Sequence, residues 1–207
     1  AVSYQGMKVA YPLFFETSAL LYNRTYLAEW ASQIAMRDIL GDGNIEEAPS
    51  EGSDGIPVDE EALAAKTEEY LSHSVPSSID DILRIADTFD LPVGVEGILK
   101  WDVSDIFYNY WIVGNYILVG GDAGDNPANI NIDNPEVIQC LEVYKALNQR
   151  FYIESDTVDY KSVINDFMEG KIVFTIGTTD VAERLAQAEA DGSLGFEYGI
   201  ACMTWVS

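Results

Sequence analysis

Histidine, cysteine and basic residues are all scarce in this chain. The 207 residues carry one histidine, two cysteines and 11 Lys and Arg against 35 Asp and Glu, a formal charge of −24. Nucleic-acid binding releases counterions to clustered Lys and Arg, and scattered bases do not supply that drive. An anionic membrane surface is equally unfavourable. A Ser or Cys triad would have to use His73, which sits in Ser72-His73-Ser74 after an acidic stretch and reads as a solvated loop residue. Cys140 and Cys202 are far apart, with no CxxC and no companion histidines, so no structural zinc site is expected; each lies in an apolar segment and reads as a buried thiol. Nor is there a run of about 18 apolar residues, as a membrane helix needs. Trp111 to Gly120 comes nearest and is broken by Gly114, Asn115 and Tyr116.

What is present is ordinary globular material, 48% hydrophobic and 22% charged, enough for a core without staples. Met7 to Tyr22 reads as two short strands joined near Glu16 and Thr17. Leu27, Trp30 and Ile34 recur at helical spacing until Gly41 and Gly43. From Asp42 to Glu69 ten acids accompany the single base Lys66. Its first half is loop, and Asp59 to Leu71 is an alanine-rich helix with acids at its positive end. Charge of this density stays in water, so the stretch is expected outside the core.

Beyond Pro76 helices and strands alternate. Ser78-Ile79-Asp80-Asp81 is a capping box before the apolar stripe Ile79, Ile82, Leu83, Ala86 and Phe89. Val95 to Trp101 reads as a strand, and Ser104 as the cap of a helix carrying Phe107, Tyr110, Trp111, Gly114 and Leu118. Ile130 and Ile132 form a short strand, and Asn134-Pro135-Glu136 supplies cap, first-turn proline and first-turn acid for the next helix. There follow helix Tyr160 to Met168, strand Lys171 to Ile176, helix Asp180 to Ala190 and strand Phe196 to Met203. This grammar predicts an α/β fold around one sheet. The run Asp122, Asp125, Asn129, Asn131 and Asp133 suggests calcium, but it lacks the glycine and the terminal glutamate of an EF-hand loop.

Four stretches, read together, resemble the extracellular solute-binding proteins of bacterial ABC importers, in the maltose-binding-like sugar branch. Tyr11-Pro12-Leu13-Phe14-Phe15-Glu16-Thr17-Ser18-Ala19-Leu20-Leu21-Tyr22-Asn23-Arg24 is similar to the family's hinge crossing and following strand. Val75-Pro76-Ser77-Ser78-Ile79-Asp80-Asp81 resembles its Pro-x-Thr-Trp-Asp-Glu helix start, and Asn131-Ile132-Asp133-Asn134-Pro135-Glu136 its Asp-x-Pro-Glu corner. Phe167-x-x-Gly170-Lys171-Ile172-Val173-Phe174 is similar to its Phe-x-x-Gly-Lys-x-Ala-Met element. The match spans nearly the whole chain except residues 28–74, which look like an acidic, mostly helix and loop insertion.

The resemblance implies a periplasmic-binding-protein type II-like α/β fold, a mixed sheet flanked by helices, with residues 1–207 forming a single incomplete lobe of a two-lobed protein. It implies a non-enzymatic, cofactor-free monomer that binds a mono- or oligosaccharide between lobes and delivers it to a membrane permease. Its place would be the periplasm or, lipid-anchored, the outer face of a bacterial cytoplasmic membrane. The implied ligand residues are Glu16, Trp101, Asp102, Asp105, Phe107, Thr178 and Asp180. Glu16 falls where relatives place a carboxylate toward sugar hydroxyls, and Trp101 or Phe107 would lie on a pyranose face. One departure is that Thr178-Thr179-Asp180 occupies the region where the branch commonly offers a tryptophan. Asp180 equally suits plain stabilisation of a helix N-terminus. Two other readings remain open from residues alone, an acid-pair glycosidase using carboxylates such as Glu16, Asp102 and Asp105, and a calcium-dependent surface module built on Asp122 to Asp133.

Overall fold

The computed structural model describes residues 2–4, 6–10, 17–41, 59–105, 109–121 and 124–202. Its centre is the strand β7 (Ile172–Thr178), in which every residue is buried. The sequence Ile-Val-Phe-Thr-Ile-Gly-Thr is a continuous β-prone run, the pattern of a strand covered on both faces rather than one. On one side β7 pairs in parallel with β4 (Gly97–Leu99), and on the other antiparallel with β3 (Ser18–Asn23). β8 (Tyr198–Ala201) pairs antiparallel with β3, giving a mixed four-stranded sheet in the order β4-β7-β3-β8. Separate two-stranded ribbons are β1 (Val2–Tyr4) with β2 (Met7–Ala10), and β5 (Leu118–Val119) with β6 (Ile130–Asn131).

Helices flank this sheet. α1 (Arg24–Leu40) follows β3 directly: the Asn23 side chain accepts from the Tyr26 amide, and Gly41, at φ 74°, ends the helix. α3 (Ile79–Thr88) opens on the capping box foreseen from sequence, with Ser78 and Asp81 exchanging backbone-to-side-chain hydrogen bonds. It buries Ile79, Ile82 and Ile85. α5 (Pro135–Arg150) starts at the Asn134 cap, and α6 (Tyr160–Met168) buries Val163, Ile164 and Phe167 beside β7. α7 (Asp180–Ala190) turns Val181, Leu185 and Ala188 inward. The main core joins β3, β4 and β7 to α1, α3, α6 and α7, with Trp30, Trp101, Phe167 and Phe174 among its fully buried side chains. A smaller cluster of Ile112, Val113, Val137 and Cys140 lies between α4 (Tyr110–Val113) and α5.

The acidic segment divides into parts with different roles. Residues 28–40 belong to α1, where Trp30, Ala31 and Ala35 are buried and the Trp30 indole donates to Thr88 Oγ1 at 2.9 Å. Residues 42–58, with five of the ten acids, lie outside the described residues. α2 (Glu60–Ser72) buries no residue and is fastened to α1 where Lys66 and the Tyr70 hydroxyl both reach Asp38, at 2.9 and 2.8 Å. Among the described residues no helix is long and apolar enough to cross a membrane.

Two expectations need correction. The helix foreseen from Ser104 to Leu118 is described only as α4, and Leu118 belongs to a strand, paired with Asn131. Tyr-Trp-Ile-Val is a crowded, weakly helical run, Gly114 and Asn115 weaken it further, and the Tyr116 and Ile117 amides close a turn back on Val113. Among the described residues Ser104 turns back to Asp102: its amide and hydroxyl both donate to Asp102 Oδ1, at 2.8 and 2.7 Å. The second correction is Cys202, exposed beyond the edge strand β8, whereas Cys140 is the buried thiol expected; both are free.

Candidate functional site

Because β4 and β7 run parallel, with Gly97 opposite Ile172 and Leu99 opposite Phe174, their C-terminal ends lie at the same edge of the sheet. The segments Trp101 to Asp105 and Thr178 to Asp180 therefore emerge side by side. β3 runs the other way, and its first residue, Ser18, pairs with Thr178, so the chain enters the sheet at that same edge. In open α/β sheets the region beyond the carboxyl ends of the strands is where ligands bind, since loops there are free to vary above a fixed scaffold. Glu16 and Phe107 lie outside the described residues.

After β7 the polar side chains of Tyr160, Thr178 and Asp180 form one hydrogen-bonded group. The Thr178 amide donates to the Tyr160 hydroxyl oxygen at 2.8 Å, and the two hydroxyls lie 2.8 Å apart. Tyr160 and Thr178 each donate to Asp180 Oδ1, Tyr160 at 2.9 Å. Burial above all, joined by the Asp180 charge, pushes the Tyr160 phenol far above its usual range, so it stays a neutral donor. Thr178 is buried and Asp180 is exposed. Asp180 Oδ2 accepts no hydrogen bond from the described residues.

After β4 the arrangement is different. Trp101 is fully buried, its ring edge-on to Trp111 and Tyr144 at 6.0 and 5.7 Å between centroids. Its indole donates to Asn109 Oδ1 at 2.9 Å, and the Asn109 amide donates to the Asp102 and Asp105 carbonyls at 3.1 and 2.6 Å. The expectation that Trp101 stacks on a sugar is thus corrected: no face of its ring is accessible, and it serves as the core post under the loop. Asp102 is likewise 3% exposed, with Oδ1 taken up by Ser104, so this carboxylate builds the turn instead of facing outward. Asp105 is exposed at the rim.

Sequence reasoning missed Tyr160 and Asn109. Asp159 is legible as the cap of α6, and the next position is an ordinary first-turn residue; nothing local says that its hydroxyl spans 18 residues to Thr178. Asn109 stood inside an expected helix, where a buried asparagine could have served as the warning that a loop needs a strut. Among the described residues no three His, Cys, Asp or Glu side chains gather as a metal site requires.

A scan of protein-family models finds no match, and no curated protein sequence matches. Solved structures do. The maltose-maltodextrin binding protein of Alicyclobacillus acidocaldarius superposes with a TM-score of 0.56 at 12% identity over 97% of this chain and 40% of its own. MalX from Streptococcus pneumoniae, solved with maltopentaose, gives 0.54 at 15% identity over 92% and 39%. An extracellular solute-binding protein from Staphylococcus aureus, solved with maltose, gives 0.57 at 15% identity over 96% and 40%. The chain spans about 40% of the length of these proteins. At such identities the likeness carries the fold, and the chain has the periplasmic-binding-protein-like mixed α/β fold found in the matching part of maltose- and maltodextrin-binding proteins.

Proposed function

We propose that this chain is one lobe of the substrate-binding component of an ABC importer, and that it contributes one wall of a cleft that closes on a carbohydrate. The observation that carries this reading is the superposition of nearly the whole chain on proteins solved with maltose and maltopentaose. The shared edge of β4 and β7, with an exposed carboxylate on each emerging loop, supports it: Asp105 and Asp180 are acceptors suited to sugar hydroxyls. Thr178 supports Asp180 from beneath, and the family resemblance adds Glu16 and Phe107 to the proposed ligand residues. The protein acts without catalysis, as a monomer on the periplasmic side or tethered by lipid to the outer face of the membrane, and hands its solute to a permease.

Two-lobed binding buries the ligand between both walls, and exclusion of water strengthens each polar contact. One wall alone leaves half the ligand hydrated while most of the association entropy is still lost. Isolated, the chain should therefore bind on the order of a thousandfold more weakly than the full-length protein. Calorimetry with maltose and maltopentaose on both proteins tests this. Equal affinities would place the site wholly within these residues and remove the cleft, and sustained release of reducing ends from oligosaccharides would remove the binding-protein reading altogether.

A further inference from the structure

We infer that Tyr160, through its hydroxyl, is the positioning residue that presents Asp180 to the solute. The inference rests on the proposed binding function and assigns a role that the sequence does not suggest. Asp180 is the exposed first residue of α7, where a carboxylate would ordinarily sample several rotamers and lose entropy on binding a ligand. Here Oδ1 is engaged by two hydroxyls, from Thr178 and Tyr160, and Tyr160 is itself fixed by the Thr178 amide at 2.8 Å.

Proton accounting makes the arrangement directional. The Thr178 N–H fills a lone pair of the phenol oxygen, so the phenol proton is left to point toward Asp180 Oδ1 or Thr178 Oγ1, at 2.9 and 2.8 Å. The Thr178 hydroxyl proton goes to Oδ1. Both hydroxyl protons are consumed among these three side chains, which leaves Asp180 Oδ2 as an acceptor for a solute. Such an acceptor favours solutes with O–H or N–H donors. The phenol, kept neutral by burial, remains a donor within the group.

Tyr160→Phe removes one oxygen from a half-buried ring and keeps its shape, and Asp180→Asn keeps the shape and removes the charge. The test is calorimetry of the full-length protein and these variants with glucose, maltose, maltotetraose and maltopentaose, together with amide exchange at Thr178. Tyr160→Phe should accelerate Thr178 exchange and weaken sugar binding about tenfold, the range expected for a lost hydrogen bond to a charged group. Asp180→Asn should weaken binding at least as much, and the double variant should bind no worse than Asp180→Asn, since Tyr160 acts through Asp180. A purely structural tyrosine would lower the melting temperature and leave affinity unchanged, or add its loss to that of Asp180→Asn; either result overturns the inference alone. Failure of the wild-type protein to bind any of these sugars would overturn the proposed function, and this inference with it.

Discussion

The Trp101 indole and the Asn109 side chain are joined by a 2.9 Å hydrogen bond in the protein interior, and that bond holds the loop after β4 in place. Asn109 spends its remaining donors on the Asp102 and Asp105 carbonyls, so one amide group ties core to rim. Asn109→Ala should destabilise by about 2–3 kcal/mol, because it strands a buried indole N–H and two carbonyls. In a Trp101→Phe background, where the indole N–H no longer exists, the same substitution should cost less. Urea denaturation of the four proteins checks this, and additive losses would contradict the strut.

Gly177 is a packing requirement inside β7. A Cβ there would lie 2.6 Å from Leu21 Cδ1 and 3.8 Å from Ile164 Cδ1, between the neighbouring strand and α6. Gly177→Ala should therefore cost about 1–3 kcal/mol as overpacking, and Leu21→Val should recover part of that loss. Thermal denaturation of the single and double variants measures the recovery.

Asp81 couples stability to acid. Burial raises its pKa, but hydrogen bonds from Ser77 and Ser78, backbone and side chain, outweigh burial and hold the carboxyl below its usual range. A depressed native pKa contributes stability that is present above the unfolded value of 3.8 and is lost as pH falls through the native one. Asp81→Asn should remove that acid-side slope, and Ser78→Ala should cost about 1 kcal/mol at neutral pH as a lost cap. Denaturant midpoints followed from neutral pH downward provide the measurement.

Tyr144 acts at the opposite end of the scale. Burial first, and the nearby Asp102 charge second, push its phenol up to about 12 from 10.0, and its hydroxyl donates to the Val103 carbonyl at 2.8 Å. A raised native pKa contributes stability that is complete below the unfolded value and is lost as pH rises toward the native one. The wild type should lose stability between 10.0 and about 12 more steeply than Tyr144→Phe. Equal slopes in alkaline denaturation would contradict this.

Local chemistry accounts for what was legible in the sequence. Ser78, Asn134 and Gly41 set helix ends through their own neighbours, and the buried run of β7 announces a covered strand. The interior position of Trp101 was not legible, since an aromatic after a strand reads alike whether it faces a ligand or a core. Its partners Trp111 and Tyr144 come from later segments. The Tyr160 contact likewise depends on α6 lying beside β7, a tertiary fact that no spacing encodes. Asp180 could be singled out from the motif around it, but only the fold gives its carboxylate two hydroxyl partners.

The strand order also dictates when the protein can form. β3 precedes its partners β7 and β8 in the chain, so that Leu20 waits for Ile176 and Ala201. Loop closure over that span has to be completed before the pairing stabilises anything, and long-range closure is slow. During synthesis α1 and α3 can emerge and flicker as helices, yet β3 stays without these partners until β7 and β8 have been made. The topology of this sheet defers its completion until β8, the last of its described strands, arrives.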